Sequence, residues 1–329
     1  MFIVINKKLT VYSTDCYHKC MKEECEVFAA NNLEWVQCQC KTEDELIDKL
    51  KNATSVCNMY AKFTDKVFDN LPKLKCIVRC GVGVDNVDLD SATRHGVQVC
   101  NVPDYGTDEV ADHALALMMT LVRKINSANS YVQNENQWGY DKLIPIKRLS
   151  QMVVGIVGFG RIGQAFAKRV QALGCKILVS VRHEPTEDIK QQFDYVSFVT
   201  LDEVLKNSDV LSLHCGLNQD NKKFMNEIAF SKMKTGSYFI NVSRGGLVDE
   251  DALAVALKKG KLAGAALDVL AKEPMSEQSP LKNTPNLIIT PHMAWYSEQA
   301  SSDKKRMCAE EVVRGALGLK VLNPVNKLK

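Results

Sequence analysis

From residue 152 onward the chain alternates short apolar runs with helix-patterned ones, and few architectures accept that rhythm. "MVVGIVG", "KILVSV", "DVLSLHC", "SYFINV", "LAGAALDV" and "NLIITPH" read as strands, with "RIGQAFAKRVQAL", "LDEVLKN", "NEIAFSKM" and "DEDALAVALKKG" as helices between them. A helix between successive strands makes those strands parallel and covers both faces of their sheet, so a doubly wound α/β sheet is predicted. The first hundred residues carry a second, similar alternation. There "FIVIN", "LEWVQCQ", "SVCNMY", "LKCIVRCG" and "VQVCNV" are the strand candidates. "TEDELIDKLKN" and "TDKVFDNLPKL" are the helices, the latter with Val67, Phe68 and Leu71 at helical spacing.

Two alternating blocks in 329 residues imply two domains. Between them, "TDEVADHALALMMTLVRKINSANSYVQNE" reads as one long helix with an apolar stripe through Val110, Leu115, Met118, Leu121, Val122 and Ile125. The width of that stripe predicts a homodimer interface. The break between domains is expected at residues 102–106, and the tail helix "SEQASSDKKRMCAEEVVRGALG" is expected to cross back to the first domain.

Composition narrows the function classes. Forty-two Lys and Arg against 39 Asp and Glu give a net charge of +3 with no basic arm, which argues against nucleic acid as a partner. The basic stretch "SDKKR" at 302–306 reads as a solvated helix face. The N-terminal "MFIVINKKLTVYS" lacks the parts of a signal peptide, and no segment approaches ~18 consecutive apolar residues, so a cytoplasmic protein away from membranes is expected. In that reducing compartment the twelve cysteines, nine of them in the first hundred residues, are expected to be buried free thiols. Cys16, His18, Cys20, Cys25, Cys38 and Cys40 do not repeat the spacing of a zinc knuckle, and no metal is expected.

"VVGIVGFGRIGQAFA" places Gly158, Gly160 and Gly163 between an apolar strand and a helix that opens on Arg161 and Ile162. In that context the first glycine permits a tight turn and the second lets a pyrophosphate approach the backbone. The third lets the helix pack close to the sheet, and the helix N-terminus faces the phosphates with its free N–H groups. About twenty residues on, where an acid would hold an adenosine ribose, the chain reads "LVSVRHEPTED". Ser180, Arg182 and His183 stand there instead. They suit a 2′-phosphate, so NADPH is the expected cofactor ahead of NADH, unless Arg182 is only a solvated loop residue.

Three later segments each bring a chemically useful residue to a strand end: Arg244 in "INVSRGGLVDEDAL", Glu273 in "AALDVLAKEP" and His292 in "IITPHMAWYSEQAS". An arginine grips a carboxylate or keto oxygen, a histidine donates a proton, and a carboxylate beside that histidine favours its cation.

These motifs, with "LKCIVRCGVGVDNVDL" and "NVPDYGTDEVADHALAL", resemble the D-isomer-specific 2-hydroxyacid dehydrogenase family over nearly the whole chain. That family includes phosphoglycerate dehydrogenases, glyoxylate/hydroxypyruvate reductases and the C-terminal-binding-protein corepressors. The resemblance implies a flavodoxin-like substrate domain over residues 1–103 and 297–329. It implies a Rossmann-type nucleotide-binding domain over 104–296. It makes Arg244 the substrate-orienting arginine, and Glu273 the partner of the catalytic His292. The loop "RCGVGVDN" would receive the substrate carboxylate on the N–H groups of Val82 and Gly83, near Arg79. Asp268 would hold the nicotinamide carboxamide, with Val242 and Ser243 on the same side. Thr107 and the turn of His214, Cys215 and Gly216 would touch the cofactor, although the family more often has proline at Gly216. "AWYS" is closer to the corepressor branch and its bacterial relatives. Trp295 is thus either a wall of the substrate pocket or an ordinary core or interface tryptophan, and Tyr60 poses the same choice. The implied activity is 2-ketoacid reduction on glyoxylate- or hydroxypyruvate-type substrates. The alternatives are a phosphoglycerate dehydrogenase and a nucleotide-sensing scaffold, the latter without the disordered tail expected of a regulator.

Overall fold

The computed structural model describes residues 9–15 and 21–328. The chain divides into two compact units, Met1–Gly106 with Ser297–Lys329, and Thr107–Tyr296. In the first, β1 (Thr10–Ser13), β2 (Glu34–Gln37), β3 (Ser55–Asn58), β4 (Cys76–Arg79) and β5 (Gln98–Cys100) form an all-parallel sheet in the order β2-β1-β3-β4-β5. In the second, seven strands follow: β6 (Val153–Val157), β7 (Lys176–Ser180), β8 (Val196–Phe198), β9 (Val210–Leu213), β10 (Ser237–Asn241), β11 (Leu262–Leu267) and β12 (Leu287–Ile289). Their order, β12-β11-β10-β9-β6-β7-β8, reverses direction between β6 and β9, and all pairs are parallel. Both sheets are doubly wound, the second in the Rossmann order.

Differences from the sequence reading have local causes. "FIVIN" lies outside the described residues, and β1 is formed by "TVYS". Strand β8 and the helix Glu187–Gln192 before it were not anticipated, because three residues at a sheet edge carry little periodicity. The long helix is two, Thr107–Val122 and Ile125–Glu135, broken at Lys124 with φ 53°. The apolar stripe of the first is spent inside its own unit: Val110, Ala114, Met118, Leu121 and Val122 are in the core with β6, β7 and β10 residues. Of the stripe, Leu115 is partly buried and Ile125 is exposed.

Helix starts are fixed by local chemistry. Thr42, Asp88, Thr186, Thr200, Asn226, Asp249 and Ser297 each accept a backbone N–H from the first turn, a contribution of about 1 kcal/mol apiece. The C-terminal helix Glu298–Ala316 lies on β3 and β4, close enough that a Cβ at Gly315 would be 2.5 Å from Cys76 Sγ. Its basic stretch is not a solvated face: Lys304 is 4% exposed. The thiols are also not all free, since Cys80 and Cys308 are joined in a disulfide. Cys38 and Cys40 are buried, Cys25 is exposed, and Cys16, His18 and Cys20 lie outside the described residues. Among the described residues no helix is long and apolar enough to cross a membrane.

Candidate active site

The glycine turn has the geometry its spacing calls for. Gly158 has φ 94°, and a Cβ there would lie 2.6–2.7 Å from the backbone of His214 and Cys215. At Gly163 a Cβ would meet the Gly158 carbonyl at 2.4 Å. At Gly160 a Cβ would meet nothing within 4 Å, so the backbone there is open to an approaching group. Gly160 caps the helix Arg161–Gln171 without a side-chain hydrogen bond, so the positive end of a helix dipole stands at this turn. The helix end and the space fit a dinucleotide pyrophosphate.

Beside this turn, Ser180 ends β7, buried, and its carbonyl accepts the Gly158 N–H at 2.9 Å. Arg182 and His183 follow on the surface. Arg182 is not alone there: its Nη2 is 3.1 Å from Asp220 Oδ2. The acid missing from the end of β7 is therefore partly replaced by one from the loop after β9, which sequence spacing did not reveal. His214 begins that loop. Burial pushes its pKa down to about 3, its ring lies against Phe166, and Nε2 pairs with Ser212 Oγ at 2.9 Å. Among the described residues its buried Nδ1 has no hydrogen-bond partner. Cys215 is held up at about 11 by burial. Gly216 sits exposed with open space at its Cβ position, and its carbonyl accepts from Asn221 Nδ2. Thr107 opens the helix Thr107–Val122.

The three chemical residues stand on loops after β10, β11 and β12. The Ser243 N–H and the Arg244 carbonyl are both held by the side chain of buried Asn241, at 3.0 and 2.9 Å. Ser243 Oγ donates to Leu213 O, and Val242 is buried in the core. Gly245 allows this turn to press on the next loop, since a Cβ would lie 1.9 Å from the Leu270 carbonyl carbon. That loop carries Glu273, whose Oε1 accepts the Leu270 N–H at 2.9 Å and whose Oε2 is 2.7 Å from His292 Nδ1. Burial pushes the Glu273 carboxyl up, but the hydrogen bonds from His292 and Leu270 and the charges of His292 and Arg244 outweigh it, so it lies below the usual carboxylate range. Nδ1 being engaged, Nε2 is the ring nitrogen left to act on a substrate. The pair is part-exposed, at 44% and 37% of side-chain area.

Asp268 has partners that were not foreseen. It is 2% exposed, and its carboxylate accepts from Thr290 Oγ1 at 2.5 Å and from the N–H groups of Met293 and Ala294 at 3.0 and 2.9 Å. Its carbonyl accepts the His292 N–H at 2.8 Å, and His113 Nε2 lies 3.0 Å from Thr290 Oγ1. This network holds His292 at φ 53°, a left-handed conformation that a non-glycine residue adopts at a cost of ~1–3 kcal/mol. Trp295 is partly buried against the core of its own unit and lies edge-on to Tyr296.

On the first unit, Arg79 ends β4 and its guanidinium lies over Gly81, where a Cβ would be only 1.8 Å from Nη1. The carbonyls of Gly81 and Val82 accept from Val102 N–H and Asn101 Nδ2. Among the described residues the N–H groups of Val82 and Gly83 meet no acceptor, which suits an acid group. Tyr60 is 60% exposed, and the Asp15 carboxylate gathers the N–H groups of Met59, Tyr60 and Ala61 beside it.

Comparison with known proteins settles the relationship. Residues 115–294 match the D-isomer specific 2-hydroxyacid dehydrogenase NAD-binding domain. The chain belongs to that family. It is 38% identical over 289 residues to a D-3-phosphoglycerate dehydrogenase of Archaeoglobus fulgidus, covering 87% of this chain and 54% of the relative. It is 37% identical over 267 residues to the protein of that name from Bacillus subtilis, covering 80% and 50%. The chain thus spans about half the length of these curated relatives. Among solved structures it resembles the TT0316 protein of Thermus thermophilus, with TM-score 0.84 and 30% identity over 96% of this chain and 100% of the other. It also resembles a D-lactate dehydrogenase of Aquifex aeolicus complexed with NAD and lactic acid, with TM-score 0.83 and 29% identity over 97% and 100%.

Proposed function

We propose that this member of the family is a nicotinamide-dependent D-2-hydroxyacid dehydrogenase working chiefly as a 2-ketoacid reductase. The observation that carries this reading is the 2.7 Å pairing of His292 with Glu273, within reach of the Arg244 charge, on the unit that holds the glycine turn. When bound, a nicotinamide dinucleotide supplies the hydride for the carbonyl carbon. His292 Nε2 gives the proton to the keto oxygen, and in the oxidative direction takes it from the hydroxyl. Glu273 keeps Nδ1 protonated and offsets the positive charge of the imidazolium. Arg244 orients the keto acid. On the first unit, the loop of Val82 and Gly83, with Arg79, offers donors of the kind a carboxylate takes. Asp268 acts through the 290–294 loop, as a positioning residue for His292. Thr107, Gly160, Arg161, Ile162, Val242, Ser243 and the His214 to Gly216 turn line the cofactor side. NADPH is preferred through Ser180, Arg182 and His183.

A second reading, D-3-phosphoglycerate oxidation, is favoured by the names of the two curated relatives. Steady-state assays of glyoxylate, hydroxypyruvate, branched 2-ketoacids and 3-phosphohydroxypyruvate with NADPH and NADH separate the two. Turnover of the unphosphorylated acids with NADPH is expected. Turnover confined to the phosphorylated acid would move the assignment to the second reading. No turnover of any acid, with cofactor still bound, would remove both.

A further inference from the structure

We propose that Cys57, Cys80 and Cys308, when reduced, form a site for one thiophilic cation, zinc by the chemistry of the donors. Cys57 lies on β3, Cys80 directly follows β4, and Cys308 comes from the helix Glu298–Ala316 packed across those strands. Their sulfur atoms all lie within 4.8 Å of one another. Cys57 Sγ is 2.9 Å from Cys80 Sγ and 3.5 Å from Cys308 Sγ. Tetrahedral zinc with bonds of about 2.3 Å asks for sulfur separations of about 3.8 Å, a small opening of this cluster.

Clustered sulfur alone would be ordinary core packing. The surroundings are not those of a core. The three sulfurs line a small, partly open cavity of about 20 Å³ together with Trp35, Met59, Asp15, Glu24, Lys304 and Lys305. That volume holds about one water-sized occupant. Glu24, which also lines this cavity, is 6% exposed, and among the described residues its Oε2 has no hydrogen-bond partner. Three thiolates and one Zn²⁺ leave a charge of −1, which the buried Lys304 ammonium balances. Lys304, by burial and then the Arg79 charge, has its pKa lowered to about 8, and thiolates beside it would relieve that burden.

The disulfide between Cys80 and Cys308 is the oxidised form of this site. A water-soluble phosphine opens it: with one water it becomes the phosphine oxide, and the two sulfurs leave as thiols. The three thiols then release three protons as the ion binds. Such an ion would tie β3, the end of β4 and the C-terminal helix together next to Arg79. The proposal stands independently of the dehydrogenase reading, because its readout is binding.

The test is anaerobic reduction of the full chain with the phosphine, removal of the reductant, and titration with Zn²⁺ against a chromophoric chelator. One equivalent bound with submicromolar Kd is expected, and Co²⁺ in its place should give a thiolate charge-transfer band. Loss of an outer partner costs ~10–100-fold in metal affinity, so Cys57→Ser and Cys308→Ser should each lose at least about 100-fold, while Cys175→Ser should not change it. If a serine variant does not fold by circular dichroism, the decision passes to alkylation of the wild-type protein with peptide mapping. Zinc should then protect Cys57, Cys80 and Cys308. The proposal is overturned by absence of stoichiometric binding in the reduced protein, by binding that survives both substitutions, or by zinc that leaves the three thiols as reactive as before.

Discussion

His292 was legible from one short motif, "TPHMAWYSEQA", because a histidine at a strand end needs few neighbours to be chemically useful. Its support was not legible, because Asp268 reaches it through a fold that brings residues 22 to 26 positions apart together. The site predicts a clear split. His292→Gln should lower kcat by ~10²–10⁴-fold, as loss of a general acid does, with NADPH affinity by fluorescence titration unchanged. Asp268→Asn should disturb kcat through the loop, with the Met293 and Ala294 N–H groups losing a charged acceptor. Arg182 is the other residue where structure sharpened sequence. A charge-assisted bond to a 2′-phosphate contributes ~1.5–3 kcal/mol, so Arg182→Ala should cut the NADPH-over-NADH ratio of kcat/KM by about 10–100-fold. Asp220→Asn should act oppositely, raising that ratio, because Asp220 both engages Arg182 and repels a phosphate. An unchanged ratio in both variants would remove Arg182 from cofactor selection.

At the scale of elements, the alternation of strand and helix was readable for β2 to β7 and β9 to β12, whose segments form distinct apolar runs, and not for β1 or β8. It failed where the physics is non-local. The helix pattern continued through Lys124 because Ile125 falls in phase with Leu121, yet the backbone turns left-handed between them. The basic run at 302–306 looked solvated because nothing in the linear sequence shows that β3 and β4 lie beneath it. The strand–turn–helix at 153–171 is the opposite case, since Gly158 and Gly163 are each required by a close contact and Gly160 keeps the open space that its spacing implied. Gly158→Ala combines φ 94° with a Cβ 2.6 Å from a carbonyl oxygen, so the turn must shift. The expected result is a loss of ~1–3 kcal/mol in urea unfolding and loss of the Tm rise that saturating NADPH should give the wild type. Gly160→Ala has open space, so its folding stability should be near wild type while the Tm rise still shrinks, because the added methyl lies where the pyrophosphate comes in. Equal Tm rises in wild type and both variants would show that the dinucleotide does not bind at this turn.

At the scale of the whole molecule, most of the stripe expected to form a dimer is buried within its own unit, and Ile125 at its end is exposed. The exposure continues through the segment after the break. Ile125, Val132, Trp138, Tyr140, Ile144 and Ile146 are all exposed, Trp138 at 93% and Tyr140 at 72%. Single exposed apolar residues are ordinary, but six large ones within 22 residues of sequence are a concentration that a monomer would have reason to cover. Tryptophan and tyrosine are also the residues that dominate interface energetics. A second copy of the chain is the occupant that needs no other partner, and a twofold interface would use the same segment from both copies. Sedimentation velocity at micromolar concentration should therefore give a dimer for the wild type. Trp138→Ala combined with Ile144→Asp should shift it to monomer, whereas Leu115→Ala, on the core-facing helix, should lower Tm and leave association unchanged. A wild-type monomer, or a double variant that still dimerises, would place the contact elsewhere.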